Sequence, residues 1–302
     1  MKKTLLIICC FIYGMVSGQN DTELLVLGIA QDGGSPHINC YKECCSLLRA
    51  EGRKNQVVSL GLQLHDEKKA YLFEATPDLP NQMAKLTKNN GYSLEGVFLT
   101  HAHIGHYTGL QFFGREAMGA KEQAVYALPK MNDYLTHNGP WSQLVALKNI
   151  LLQPISFERK VALENEITVT AIQVVHRDEF SETAAYRIET KNKKALFIPD
   201  IDKWHLWDKS IVDEIDQVDY AFIDASFFDQ NEISYRAISE IPHPFVIESL
   251  ALFKSQPKAF KDKVYFIHFN HTNPLLDVNS SAYKAVIEQG YHIAREGMRL
   301  KM

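Results

Sequence analysis

The sequence predicts an α/β protein, a sandwich of two mixed β-sheets packed face to face with helices on the outside. Three observations carry that expectation. Short apolar runs bounded by turn residues recur at 24–29, 57–64, 70–73, 97–99, 124–128, 167–175, 184–188, 195–198, 220–223 and 264–269. Their length and β-branched content favour buried strands. Helix-like stretches fall between some of them, at 78–88, 109–118, 210–215, 243–253 and 280–289. The order also repeats: the first half is strand-rich and then gains a helix, and so does the second. That pattern suits two sheets covered by outer helices.

The 302 residues are 46 % hydrophobic and 23 % charged, enough apolar mass for a sizeable core. The chain opens with Lys2 and Lys3, an apolar stretch over 5–16 and the small-residue exit Val16-Ser17-Gly18. This is the layout of a cleavable secretory signal peptide. The expectation is a leader over 1–18, one domain over 19–302, and a secreted or periplasmic product. The leader's apolar part is shorter than the roughly 20 residues a bilayer span needs, and no second such segment follows. Net charge is −4 without a basic run, so nucleic-acid binding lacks electrostatic support.

The strongest local signal is Thr100-His101-Ala102-His103-Ile104-Gly105-His106, directly after the apolar run 97–99. Three histidines on a turn leaving a buried strand can converge, because the strand end fixes their directions. Imidazole is a preferred donor for zinc and similar ions. Further candidates also end predicted strands: His176, Asp200 and His268. Separate strands can aim such side chains at one point. Asp178 and Glu179 are candidates to orient ligand histidines, Asp202 rivals Asp200, and Asp224 either supports the centre or caps a helix. His243, in Ile241-Pro242-His243-Pro244, either lines the substrate mouth as a proton donor or is a plain loop residue. His37, His65, His137, His205 and His292 have no such context.

These motifs resemble the metallo-β-lactamase superfamily, whose signature is His-x-His-x-Asp-His after a strand. Leu27-Gly28-Ile29-Ala30-Gln31-Asp32-Gly33-Gly34-Ser35-Pro36, His176-Arg177-Asp178-Glu179-Phe180 and the stretch from His268 to Leu276 are similar to the branch containing the B protein of pyrroloquinoline quinone biosynthesis. The phosphonate-pathway cyclic phosphodiesterase is a more distant relative. The resemblance implies an αβ/βα sandwich. It implies that His101, His103 and His176 hold one metal, and that His106, His268 and a bridging Asp200 hold a second. Gly105 stands where the family has Asp, so the second site is expected to be short of a ligand and a negative charge. One ion or two, and zinc, iron or manganese, stay open.

The implied function is a metal-dependent hydrolase using activated water on a phosphodiester or related ester, with Asp200, His268 and His243 in the reacting site. The partner would be a small molecule. Two alternatives stand beside it: an iron-dependent oxidative enzyme like the quinone-pathway relative, and a non-catalytic metal-binding protein of the envelope, which Gly105 motivates. Relatives are often dimers, which makes a homodimer an option, though no interface is legible.

Beyond residue 18 the chain has three cysteines, Cys40, Cys44 and Cys45. An odd number suits an oxidising compartment poorly as disulfides alone. The neighbouring Asp32-Gly33-Gly34 reads as a tight turn; it lacks the Lys-Ser/Thr of a phosphate loop, which excludes nucleotide binding. In the phosphodiesterase relative a cysteine cluster here joins a histidine three residues past the catalytic one. By resemblance, Cys40, Cys44 and/or Cys45 would hold a structural zinc with His271. A disulfide from Cys40 to one of the adjacent pair is the competing reading.

Overall fold

A computed structural model describes residues 22–88, 91–233 and 237–302. The expected leader over 1–18 lies outside them. The described chain forms two mixed sheets of seven strands each.

The first sheet contains β1 (Thr22–Gly28), β2 (Ser59–Leu64), β3 (Lys69–Phe73), β4 (Ser93–Phe98), β5 (Gln123–Ala127) and β6 (Ile150–Pro154). The second contains β7 (Lys160–Ala162), β8 (Thr168–Gln173), β9 (Ala184–Glu189), β10 (Lys194–Ile198), β11 (Tyr220–Asp224), β12 (Val264–Ile267) and β13 (His292–Ile293). The last strand, β14 (Arg299–Lys301), crosses back to pair antiparallel with β1. Each sheet combines an antiparallel meander with a run of parallel strands. In the first, β1, β2 and β3 are antiparallel, while β3 to β6 are parallel. In the second, β7 to β10 are antiparallel and β10 to β13 parallel.

Alternation along a strand sends successive side chains to opposite faces, and here both faces of the first sheet are covered. Leu24, Val26, Tyr71, Phe73 and Phe98 turn inward to one core cluster. Leu25, Leu27, Ala70, Leu72 and Val97 turn outward to another, completed by Leu79, Leu110, Phe113, Met131 and Leu135 from the covering helices. Strands buried on both sides therefore read as continuous apolar runs. Between the sheets, Phe98 stacks on Tyr126 with centroids 4.4 Å apart and on Phe73 at 5.2 Å, and meets Tyr186 edge-on at 5.5 Å. The Tyr186 hydroxyl donates to the Leu99 carbonyl, joining the second sheet to the strand end that carries the histidine triplet.

The helix expected over 109–118 is replaced by a short helical turn, Ile104–Tyr107, followed by a 3-10 helix over Thr108–Phe113. The segment starts earlier and winds tighter because Gly109 lies against the chain after β3. A Cβ there would sit 2.0 Å from the Thr76 carbonyl oxygen. The other expected helices form, including Val246–Leu252 and Ser281–Glu288.

Candidate metal centre

Chain segments leaving the strand ends converge on one pocket. β4 delivers His101, His103 and His106; β8 is followed by His176, β10 by Asp200 and β12 by His268. Such strand-end crevices are where α/β sheets place ligands. The ligand atoms of His101, His103, His176 and Asp200 lie within 4.8 Å of one another. Asp200, 3 % exposed, is the centre. Its Oδ2 lies 3.5 Å from His101 Nε2, 3.3 Å from His176 Nε2 and 3.7 Å from His106 Nε2. Asp200 thus touches both histidine sets, and His268 joins it in an overlapping group with Asp224 and His243.

Each ring is fixed through the nitrogen that faces away from the pocket, as ligand imidazoles usually are. His101 Nδ1 meets Thr100 Oγ1 at 2.8 Å, and His106 Nδ1 meets Glu74 Oε1 at 3.2 Å. His103 Nε2 lies 3.2 Å from Glu179 Oε2, His176 Nδ1 2.9 Å from Asp202 Oδ1, and His268 Nδ1 2.9 Å from Ser226 Oγ. The inner nitrogens His176 Nε2 and His103 Nδ1 face each other at 3.3 Å. Asp202 is therefore an orienting group rather than a rival bridge. Glu179 orients His103 as expected, but Asp178 accepts from Thr183 Oγ1 instead of holding an imidazole. Asp224 caps no helix. Fully buried, it accepts from the Ile201 and Ser226 amides and the Ser226 hydroxyl, and meets His243 Nδ1 at 2.9 Å.

His243 is buried between Asp224 and Asp200, whose Oδ1 lies 3.2 Å from its Nδ1. Burial pulls this imidazole down, but the two carboxylates hold it well above its ordinary value. Burial also pulls His176 down, and Asp200 and Asp202 more than offset it, lifting it to about 9. For Asp200 burial pushes up; His176, His243 and His268 reverse this and keep it well below the usual carboxylate range. His101 goes the other way, and burial holds it well below its ordinary value.

Two functional residues escape the sequence reading. Glu74, fully buried just after β3, joins two ligands: it accepts from Thr100 Oγ1, which holds His101, and meets His106 directly. Asp32, read as part of a turn, brings Oδ1 to 3.0 Å from His106 Nε2. The signal for Glu74 was present in the letters: a charged residue immediately after an apolar strand, as at Asp200. Glu74 and His268 also take left-handed backbone angles, φ 79° and 65°. Such strain in residues with side chains collects at functional sites.

The pocket fits a divalent cation. Among the described residues, Asp32 Oδ1, His101 Nε2, His106 Nε2, Asp200 Oδ1 and His268 Nε2 are all buried without a hydrogen-bond partner. Unpaired buried polar atoms are costly. These imidazoles and carboxylates fall into three groups, each with ligand atoms within 4.8 Å of one another and linked through Asp200 and His268, and they form a donor set for zinc or iron(II).

Cys40, Cys44 and Cys45 are free thiols with their sulphurs within 4.8 Å of one another. Cys44 and Cys45 come together because a helix, Glu43–Ala50, begins just before them and supplies the turn. Burial, then Cys45, pushes the Cys44 thiol up to about 12. His271 stands outside this group and stacks on His37 at 4.4 Å, while the His37 amide donates to Cys45 Sγ.

This fold and this histidine–carboxylate pocket define a β-lactamase superfamily protein of the metallo type. Residues 69–269 match the β-lactamase superfamily domain, and the chain belongs to that family. It is 23 % identical to coenzyme PQQ synthesis protein B of Acinetobacter baylyi, over 92 % of this chain and 99 % of that one. The crystal structure of Zn(2+)-bound PqqB from Methylobacterium extorquens superposes with TM-score 0.76 at 21 % identity, covering 93 % of this chain and all of that one. A diphosphatase of the PhnP family superposes with TM-score 0.64 at 19 % identity, covering 93 % and 97 %.

Proposed function

We propose that this protein is a metal-dependent hydrolase of a small phosphodiester or related ester, exported from the cytoplasm by the leader over 1–18. One observation carries the hydrolase reading. The Asp200 carboxylate lies within 3.7 Å of a nitrogen from both histidine sets, where a bridging ligand belongs. The similarity to a PhnP-family diphosphatase supports hydrolysis at phosphorus. Bound in this pocket, divalent cations supply Lewis-acid polarisation of the scissile group and an acidified water at neutral pH. The chain itself orients and moves protons. Thr100, Glu74, Glu179, Asp202 and Ser226 hold the imidazoles in one tautomer each. On this reading His243, held between Asp224 and Asp200, is the proton donor to the leaving oxygen.

Hydrolysis of bis-para-nitrophenyl phosphate is expected to vanish with chelator and return with zinc. His103→Ala should lower it by about 100-fold or more, the usual scale for removing one group that stabilises the reacting charge. Metal-loaded protein that turns over no ester, phosphodiester, lactam or lactone would sink the reading. A second reading, implied by the resemblance to the quinone-pathway branch, is iron and dioxygen chemistry on the same ligands, which histidine and carboxylate donors also suit. Iron retained after growth in iron-replete medium, with oxygen uptake, would favour it.

The three free thiols form a structural zinc site on this reading, with His271 as the expected fourth ligand. Zinc would lower their pKa values and remove the mutual repulsion of adjacent thiolates. Intact-mass analysis without reductant is expected to show one zinc retained and all three cysteines alkylated after its removal. A chain two hydrogens lighter would show a disulfide instead.

A further inference from the structure

The motif lacks a carboxylate at Gly105, yet the space that such a side chain would fill is taken. A Cβ built on Gly105 lies 2.3 Å from Asp32 Oδ1, 2.6 Å from Asp32 Cα and 2.9 Å from Asp32 Cγ. No side chain can stand at 105 while Asp32 is in place. The occupant is itself a carboxylate, and it points at the ligands that the absent one would have served. Asp32 Oδ1 lies 3.0 Å from His106 Nε2 and 4.0 Å from His268 Nε2. All three atoms are buried and lack a hydrogen-bond partner, and they form a separate group within 4.8 Å. The 3.0 Å approach to His106 does not have hydrogen-bond geometry, as two atoms aimed past each other at a common third point would not.

The backbone around Asp32 is built to hold it there. The Gln31 amide donates to the Phe269 carbonyl at 2.8 Å, and the Phe269 amide to the Ile29 carbonyl at 2.8 Å. These bonds tie the Asp32 turn to the residue after His268. The turn closes through the Gly34 amide on the Gln31 carbonyl at 2.7 Å, with Gly34 at φ 68°, a left-handed angle that glycine adopts without strain.

We propose that Asp32 is a ligand of the second metal site, moved from the histidine motif to the first strand's turn. The second site then holds His106, His268, Asp200 and Asp32, and regains both the ligand and the negative charge that Gly105 removes. This rests on the metal reading above and corrects the expectation of a deficient second site. It also removes the reason for regarding the centre as non-catalytic.

The test is zinc stoichiometry and affinity on the full chain, by elemental analysis after dialysis and by titration with zinc alone. Asp32→Asn keeps the shape and removes the charge, and is expected to lose one equivalent relative to the wild type, or to bind it about 100-fold more weakly. Second-sphere changes alone reach about 10–100-fold, and a ligand should equal or exceed that. Gly105→Asp alone should destabilise the protein through the clash. Asp32→Ala, which removes the carboxylate and leaves Gly105 in place, should lose the same equivalent. Wild-type stoichiometry and affinity in Asp32→Asn would overturn the proposal, as would wild-type zinc content in a folded Asp32→Ala, judged by circular dichroism. Wild-type protein with no zinc in the histidine pocket would instead overturn the metal reading itself.

Discussion

Asp200→Asn is expected to empty the histidine pocket of metal and to lower hydrolysis by about 1000-fold, the upper scale for one electrostatic group in a dry site. Asparagine has nearly the same shape, so the loss is one of charge. Asp200 is the carboxylate that touches His101, His176 and His106 together, and its other oxygen faces His243. Without it, four buried imidazoles lose their shared counter-charge. His176, held at about 9 against its burial, falls when Asp200 is neutral. A histidine raised in the folded state contributes stability that is complete below about pH 6.5 and lost as pH rises toward 9. Metal-free wild type should therefore be more stable at pH 6 than at pH 9 through this group, and Asp200→Asn should lose much of that difference. Elemental analysis and thermal unfolding across pH measure both. Full metal content in Asp200→Asn would remove this residue from the centre.

Phe98→Ala is expected to cost about 3–5 kcal/mol of stability, the range for deleting a fully buried aromatic side chain. Phe98 is inaccessible to solvent and sits in the middle of the inter-sheet stack with Tyr126, Phe73 and Tyr186. Neighbours on both sheets are themselves anchored, Tyr186 by its bond to Leu99, so the space cannot collapse fully. For a chain of this size about 4 kcal/mol corresponds to a fall in melting temperature of about 10 °C. The measurement belongs on metal-stripped protein, because bound metal adds its own stabilisation. A loss below about 1 kcal/mol would show that the stack is loosely packed.

What the letters revealed of the fold depended on where each strand lies in its sheet. The inner strands announced themselves because both faces are buried. All four strands missing from the sequence reading, β6, β7, β13 and β14, are the outermost of their sheets. β7 has the pattern exposed, intermediate, exposed, and β14 the same, so neither carries an apolar run to detect. The helix Glu43–Ala50 was hidden by its cysteines, whose chemistry drew the reading away from backbone.

The site divided in a similar way. His101, His103 and His106 were legible because their spacing is local, and His176, Asp200 and His268 because each closes an apolar run. Glu74 follows Phe73 in the same manner and was available by that rule. Asp32 was not, because its role depends on two distant segments pressing together, and the two glycines beside it argue only for a turn. His243 was undecided between loop and site until Asp224 and Asp200 were found on either side of it.

The division of the candidate site between the sheets has a mechanical outcome. Asp32, Glu74 and the 101–106 triplet hang from the first sheet, whereas His176, Asp200, Asp224 and His268 hang from the second. Any ion seated among them is a clasp across the open rim of the sandwich. Chelation then removes one of the ties between the two halves, leaving the apolar interior and bonds such as Tyr186 to Leu99, and a protease should find the rim loops of stripped protein sooner than those of loaded protein.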